Sequence, residues 1–242
     1  MICADDRRAY WTALGWPCRR LAPDTGFYLV DDTHGLTLRN AAARDHGRGL
    51  RLDLGDAEIA RRIASGRRSP LAQAIGLRRH REPRLLDTTC GLGRDSATLA
   101  ALGARVTALE RHPVLHALLD DALTRARAEP GGPQWLANWQ TLVHADAIRW
   151  LEARPAAPAF DVIYIDPMFA APRRKAAPQK ALAWLNALVG IDIDADRLLA
   201  AACSRAGRQV VVKQHARAQP LALPDRQVRA KAVRFDIYLT GG

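Results

Sequence analysis

Apolar residues along this chain fall into short runs that end in an acid or a glycine, separated by longer stretches of helical period. From Arg84 onward the alternation is regular. Arg84-Leu85-Leu86 predicts a strand ending at Asp87, and Gly91 and Gly93 follow as a turn that lets backbone approach a ligand closely. Arg94 to Leu102 predicts a helix with Leu99 and Leu102 on its apolar stripe. Arg105 to Leu109 predicts a second strand, closed by Glu110, 23 residues after Asp87. Pro113 opens a helix running to about Glu129, which Pro130-Gly131-Gly132-Pro133 stops. Thr141 to His144 is a third strand, and Phe160 to Ile165 a buried-type strand that runs straight into Asp166-Pro167-Met168-Phe169. Helices are expected over Lys180 to Val189 and Ala195 to Ala206, and a strand over Gln209 to Lys213. Gln227 to Val233 and Phe235 to Leu239 predict a terminal hairpin that sets an antiparallel strand into the sheet. Strands alternating with helices predict an α/β fold with a mostly parallel, doubly wound sheet.

The first 80 residues read differently. Phe27 to Val30, Leu36 to Leu38 and Leu50 to Leu54 predict short strands, with a hairpin turn at Asp31-Asp32-Thr33-His34-Gly35. Asp56 to Ala64, N-capped by Asp56, and Leu71 to Leu77 predict helices. Residues 1–80 are therefore expected to form a small α+β extension that packs beside the catalytic sheet, and residues 81–242 the main domain. Trp135 and Trp139 fit core packing better than a stacking surface.

Three strand ends carry the chemistry. The Gly91 and Gly93 turn between strand and helix fits the cofactor end of a doubly wound sheet, and Glu110 stands where an acid accepts hydrogen bonds from ribose hydroxyls. Ser96 occupies the third glycine position of a dinucleotide fingerprint, and Asp95 sits at the helix start where pyrophosphate would need positive potential. A carboxylate there suits a cofactor with no phosphate and a positive charge, which describes S-adenosylmethionine; an acid at a helix start is also favoured by the macrodipole alone. At the third strand end, Pro167 biases Asp166 to an extended conformation. An acid, a proline and an aromatic at this place suit methylation of a base amine. The acid accepts the amine hydrogens and holds the nitrogen in line, while Phe169 stacks on the base. Asp166, Pro167 and Phe169 are the candidate catalytic residues.

Charge adds a partner. The chain has 242 residues and a net charge of +11. Its arginines cluster at Arg61, Arg62, Arg67, Arg68, Arg78, Arg79 and Arg81, and a second cluster, Arg173, Arg174, Lys175 and Lys180, follows the Asp166 tetrad. Such clusters fit phosphate contacts with RNA. No apolar run reaches the length of a membrane span, and the N-terminus lacks the layout of a signal peptide. The four cysteines are scattered without a C-x-x-C, so reduced thiols, no metal and a cytoplasmic location are expected; separately, a monomer is expected.

Asp87 with Gly91-Leu92-Gly93-Arg94-Asp95, Leu109-Glu110-Arg111, Tyr164-Ile165-Asp166-Pro167-Met168-Phe169, Val211-Val212-Lys213 and Arg234-Phe235-Asp236-Ile237-Tyr238 together resemble the ribosomal small-subunit methyltransferase J family over residues 27 to 240. The resemblance implies a Rossmann-like class I fold with a seven-stranded sheet. It also implies transfer of a methyl from S-adenosylmethionine to N2 of a guanine in 16S ribosomal RNA. It places cofactor contacts at Arg94, Asp95, Glu110, Arg111, Asp146, Ala147 and Asp166, and the strand end and glycine turn add Asp87, Gly91 and Gly93. Three alternatives remain open to the residues alone: a methyltransferase on another RNA or base amine, a nicotinamide-dependent oxidoreductase, and a non-catalytic RNA-binding factor.

Overall fold

Proline, glycine and capping side chains divide the chain as the apolar pattern requires. A computed structural model describes residues 1–3, 7–42, 49–155, 159–167, 184, 187–188 and 194–241. In chain order the strands and α-helices are β1 (Ile2–Cys3), α1 (Arg8–Ala13), β2 (Phe27–Asp32), β3 (Gly35–Asn40), α2 (Ala57–Ala64), α3 (Pro70–Ile75), β4 (Arg84–Asp87), α4 (Arg94–Ala101) and β5 (Arg105–Glu110). They continue with α5 (Pro113–Ala128), β6 (Trp139–His144), α6 (Ala147–Glu152), β7 (Phe160–Ile165), α7 (Ala195–Cys203), β8 (Ala206–His215), β9 (Arg226–Arg229) and β10 (Val233–Leu239).

The large sheet has seven strands in the order β6-β5-β4-β7-β8-β10-β9. β6, β5, β4, β7 and β8 run parallel, and β10 is antiparallel to both β8 and β9. The period-2 alternation of each strand sorts its side chains between two cores. Leu85, Val106, Val162, Tyr164 and Val211 face one core, and Leu86, Leu109, Ile163, Ile165, Val210 and Val212 face the other, where Leu151 of α6 and Leu198 and Leu199 of α7 cover them. The chain builds outward from β4 to β6 and then returns to place β7 beside β4. That reversal opens a crevice at the carboxyl ends of the strands.

The N-terminal residues form a second, three-stranded sheet in the order β1-β2-β3. Its hairpin closes at Thr33-His34, where Asp32 Oδ1 accepts the His34 N–H at 2.8 Å. Leu29, Leu36 and Leu38 of this sheet join the same apolar cluster as Leu85, Leu115 and Leu118. Asp56 caps α2 as expected, accepting the Ile59 N–H at 2.7 Å. Trp139 lies fully buried, in agreement with the core reading.

Several boundaries differ from the sequence reading; in the terminal pair, Val233 opens β10 and β9 ends at Arg229. Leu50 to Leu54 is not a strand: Leu50 makes one bridge to Leu38, and the chain then turns through Asp53, whose Oδ1 accepts the Gly55 N–H at 2.8 Å. Leu52 and Leu54 still plug the core, so burial alternates without a partner strand. α7 stops at Cys203 and β8 takes over at Ala206, and β6 begins at Trp139. The helix expected over Lys180 to Val189 lies outside the described residues except at 184 and 187–188, which are helical. Among the described residues, no helix is long and apolar enough to cross a membrane.

Candidate active site

The loop after β4 is sewn to the strands on both sides. Thr88 donates its N–H (3.0 Å) and its hydroxyl (2.9 Å) to the Tyr164 carbonyl in β7. Thr89 Oγ1 accepts the Asp166 N–H at 2.6 Å, and the Cys90 N–H reaches the Leu109 carbonyl of β5 at 3.0 Å. Gly91 has φ 56° and Gly93 φ 73°, a region that L side chains rarely adopt. The two glycines serve different ends. A Cβ on Gly91 would meet nothing nearer than 3.9 Å, so its face stays open; a Cβ on Gly93 would stand 2.7 Å from Leu119, so Gly93 permits close packing.

The open turn aims the Gly91 N–H at Glu110 Oε2 (2.8 Å), while Glu110 Oε1 accepts the His112 N–H (2.7 Å). Main-chain donors thus fix the acid at the end of β5. Asp87 has another fate. It is buried behind the loop, where Ser96 Oγ donates to Oδ2 at 2.6 Å and the Thr89 N–H to Oδ1 at 3.1 Å. Burial pushes its carboxyl up to about 7, aided by the Asp95 and Asp166 charges and opposed by the Ser96 and Thr89 donors.

Asp95 is committed to neighbouring side chains. Its Oδ2 accepts from Lys213 Nζ at 2.8 Å and from the Tyr164 hydroxyl at 2.7 Å, and its Oδ1 takes the Arg62 guanidinium. Burial alone would raise its carboxyl, but the Lys213 and Arg62 charges hold it below the ordinary range. Lys213 Nζ also reaches Asp166 Oδ2 at 2.6 Å. Burial would lower that ammonium, and the Asp166 and Asp95 carboxylates raise it above the usual lysine value instead.

A cleft of about 600 Å³ opens over these strand ends. Of the sequence-predicted residues, Gly91, Glu110, Arg111, Asp146, Ala147, Asp166 and Pro167 line it; Asp87, Gly93, Arg94 and Asp95 do not. Asp146 is also the N-cap of α6, accepting the Arg149 N–H at 3.0 Å. Arg94 pairs with Glu58 at 2.9 Å and so ties α4 to α2. Phe169, Arg173, Arg174, Lys175 and Lys180 lie outside the described residues. The sequence reading missed Thr88, Thr89, Leu115, Ile148, Asp194, Ala195 and Leu198 as lining, and Lys213 behind Asp166. Thr88 and Thr89 adjoin the glycine turn, which was signal enough. Asp194 was signalled only as a helix start, and its carboxylate meets Arg111 at 3.2 Å.

The S-adenosylmethionine-dependent methyltransferase family model matches residues 16–240. The ribosomal RNA small subunit methyltransferase J of Thioalkalivibrio sulfidiphilus is 41% identical over 94% of this chain and 90% of its own length. That of Laribacter hongkongensis is 41% identical over 93% of this chain and 79% of its own. The chain belongs to the ribosomal RNA small subunit methyltransferase J family. The solved S-adenosylmethionine-dependent methyltransferase of Neisseria gonorrhoeae, 28% identical, superposes with a TM-score of 0.75 over 100% of this chain and 96% of that one.

This member of the methyltransferase J family is thus an enzyme that uses S-adenosylmethionine, and the donor set of its cleft fits that cofactor. Among the described residues, Glu110, Asp146, Asp166 and Asp194 bring carboxylates to the lining, and the one cation there, Arg111, is paired with Asp194. Such a lining attracts a sulfonium and an ammonium and repels pyrophosphate, which disfavours a nicotinamide dinucleotide. Among the described residues, no group of His, Cys, Asp and Glu side chains is placed to hold a metal ion.

The first basic cluster of this methyltransferase divides in two. Arg62 bonds Glu58 at 2.9 Å as well as Asp95, and Arg67 donates to the Leu102 carbonyl at 3.1 Å. Arg61, Arg68, Arg78, Arg79 and Arg81 are exposed. Of the terminal motif, Arg234 and Asp236 form a buried ion pair at 2.7 Å that braces β10.

Proposed function

We propose that this enzyme methylates the exocyclic N2 amine of a guanine in the 16S RNA of the small ribosomal subunit. The observation that carries the reading is Asp166: its carboxylate stands at the cleft, a third exposed, with Lys213 behind it and Pro167 beside it. The names of the curated relatives supply the RNA.

Glu110 would hold the ribose hydroxyls, and Leu115, Ile148 and Leu198 would give the adenine an apolar slot. The acidic rim would hold the methionine end, with Asp95 contributing through Lys213 rather than by contact. S-adenosylmethionine, when bound, supplies a methyl already activated by its sulfonium. Asp166 accepts hydrogen bonds from the guanine amine, whose lone pair is otherwise drawn into the ring, and keeps the nitrogen aimed at the methyl carbon. Phe169 stacks on the base. The new N–C bond forms as the S–C bond breaks, the electron pair stays on sulfur, and the amine then loses a proton. No strong base is required, so the residues act mainly by alignment.

Residues 1–80 would form the RNA-facing extension and residues 81–242 the methyltransferase domain. Arg61 and Arg68 on the first, and Arg173, Arg174, Lys175 and Lys180 after the tetrad, would meet phosphates. The test is transfer of tritium from labelled S-adenosylmethionine to small subunits from a strain lacking the gene, followed by nucleoside analysis. Label in N2-methylguanosine is expected. Label in another nucleoside, or no transfer despite cofactor binding, would overturn the assignment of the target.

A further inference from the structure

Lys213 belongs to a network with one exit. Its Nζ lies 2.6 Å from Asp166 Oδ2 and 2.8 Å from Asp95 Oδ2. Asp95 is held in turn by the Tyr164 hydroxyl at 2.7 Å and by Arg62, which Glu58 grips from within α2. Asp95 is nearly buried, with a side-chain exposure of 11%, whereas Asp166 is at 36% and lines the cleft. The Asp166 main chain is pinned separately by Thr89 Oγ1 at 2.6 Å. Backbone and one carboxylate oxygen are therefore fixed, and Oδ1 takes no hydrogen bond from the described residues. A simple structural ion pair needs one partner for the lysine; here the second partner is the residue that faces substrate.

We propose that Lys213 is a positioning residue for methyl transfer: clamped by Asp95, its ammonium locks Oδ2 of Asp166 so that Oδ1 is presented to the base amine. The proposal rests on the reading of Asp166 given above. It goes beyond that reading in making the rate depend on a lysine that does not itself line the cleft. The charged and titratable groups facing Lys213 are Asp95 from α4, Tyr164 from β7, Asp166 at its end and, through Asp95, Arg62 from α2. Asp87 at the end of β4 adds a further carboxyl near Asp95 and Asp166.

The experiment measures methyl transfer by the full chain to unmodified small subunits from pH 5 to 9, with cofactor affinity and thermal melting measured beside it. Lys213→Met is expected to lower kcat about 30-fold or more while the Kd for S-adenosylmethionine changes less than about threefold, the size typical of a lost orienting donor. With the ammonium gone, Asp166 holds its proton to higher pH, so the acid limb of kcat moves up by about a unit; Lys213→Arg restores kcat to within about fivefold of wild type. Asp95→Asn, which keeps the lysine, is expected to lower kcat and move the acid limb down, and it carries the test if Lys213→Met melts. If both variants stay within twofold of wild type with an unmoved acid limb while Asp166→Ala is inactive, Lys213 is structural only. If Asp166→Ala itself retains transfer, the reading of Asp166 fails first and the proposal with it.

Discussion

The two ends of the cleft hold their carboxylates by different means. At the β5 end, Glu110 is gripped by the main-chain N–H groups of Gly91 and His112. At the β7 end, Asp166 is gripped by a side-chain ammonium that also serves Asp95. Main-chain donors follow the fold, so the Glu110 end depends on the loop conformation that Gly91 and Gly93 permit. The Asp166 end depends on individual side chains, each replaceable without altering the backbone. Cofactor binding should therefore behave as a property of the loop, and the transfer step as a property of the charge network.

The largest expected effect separates the two ends directly. Asp166→Ala should slow transfer about a hundredfold or more and change S-adenosylmethionine affinity by less than about threefold, read by single-turnover kinetics and calorimetry. Glu110→Ala should do the reverse, weakening cofactor affinity about 30- to 100-fold, because a charged acceptor is lost and two main-chain donors lose their partner. Gly93→Ala attacks the first end through the loop. Its positive φ and the 2.7 Å approach to Leu119 should cost about 2 kcal/mol in denaturant unfolding, with cofactor affinity falling alongside.

Asp87 lies between the two ends and offers a pH test. Its folded carboxyl titrates near 7, above the ordinary unfolded value of about 4, so the folded state binds the proton more tightly. The stability this confers is full at low pH and is lost as pH rises through the folded value. Wild-type unfolding free energy should fall by roughly 2 kcal/mol between pH 5 and 8 from this group, and Asp87→Asn should flatten that part of the profile. The smallest effect belongs to neither end. Arg61→Ala with Arg68→Ala should reduce the salt dependence of RNA binding by about two phosphate contacts and leave cofactor affinity unchanged.

Three of the five parallel strands were legible because each ends in a recognisable break: Asp87 before the glycine turn, Glu110 before Pro113, Asp166 before Pro167. What strand periodicity does not carry is side-chain company across the sheet. Asp95 stood at a helix start and read as a cofactor contact; among its side-chain partners is Lys213, 118 residues away, on a strand brought close only by the sheet order. Asp87 stood among the expected cofactor contacts at the end of a strand; in the structure the turn folds over it and Ser96 donates to its carboxylate. Arg62 was grouped with phosphate-binding arginines on charge alone. Its spacing of four from Glu58 was the signal for an internal pair, and the structure forms that pair at 2.9 Å. Leu52 and Leu54 alternate as a strand would and are buried as a strand would be, but a strand also needs an edge to pair with, and the Asp53 turn removes it.

The most direct test of this division is the single-turnover rate of methyl transfer at saturating S-adenosylmethionine, measured for Glu110→Ala and Asp166→Ala on the same unmodified subunits. Glu110→Ala is expected to stay within about fivefold of wild type while Asp166→Ala falls about a hundredfold or more. Equal losses in the two variants, or a larger loss for Glu110→Ala, would mean that the two ends of the cleft do not divide binding from transfer.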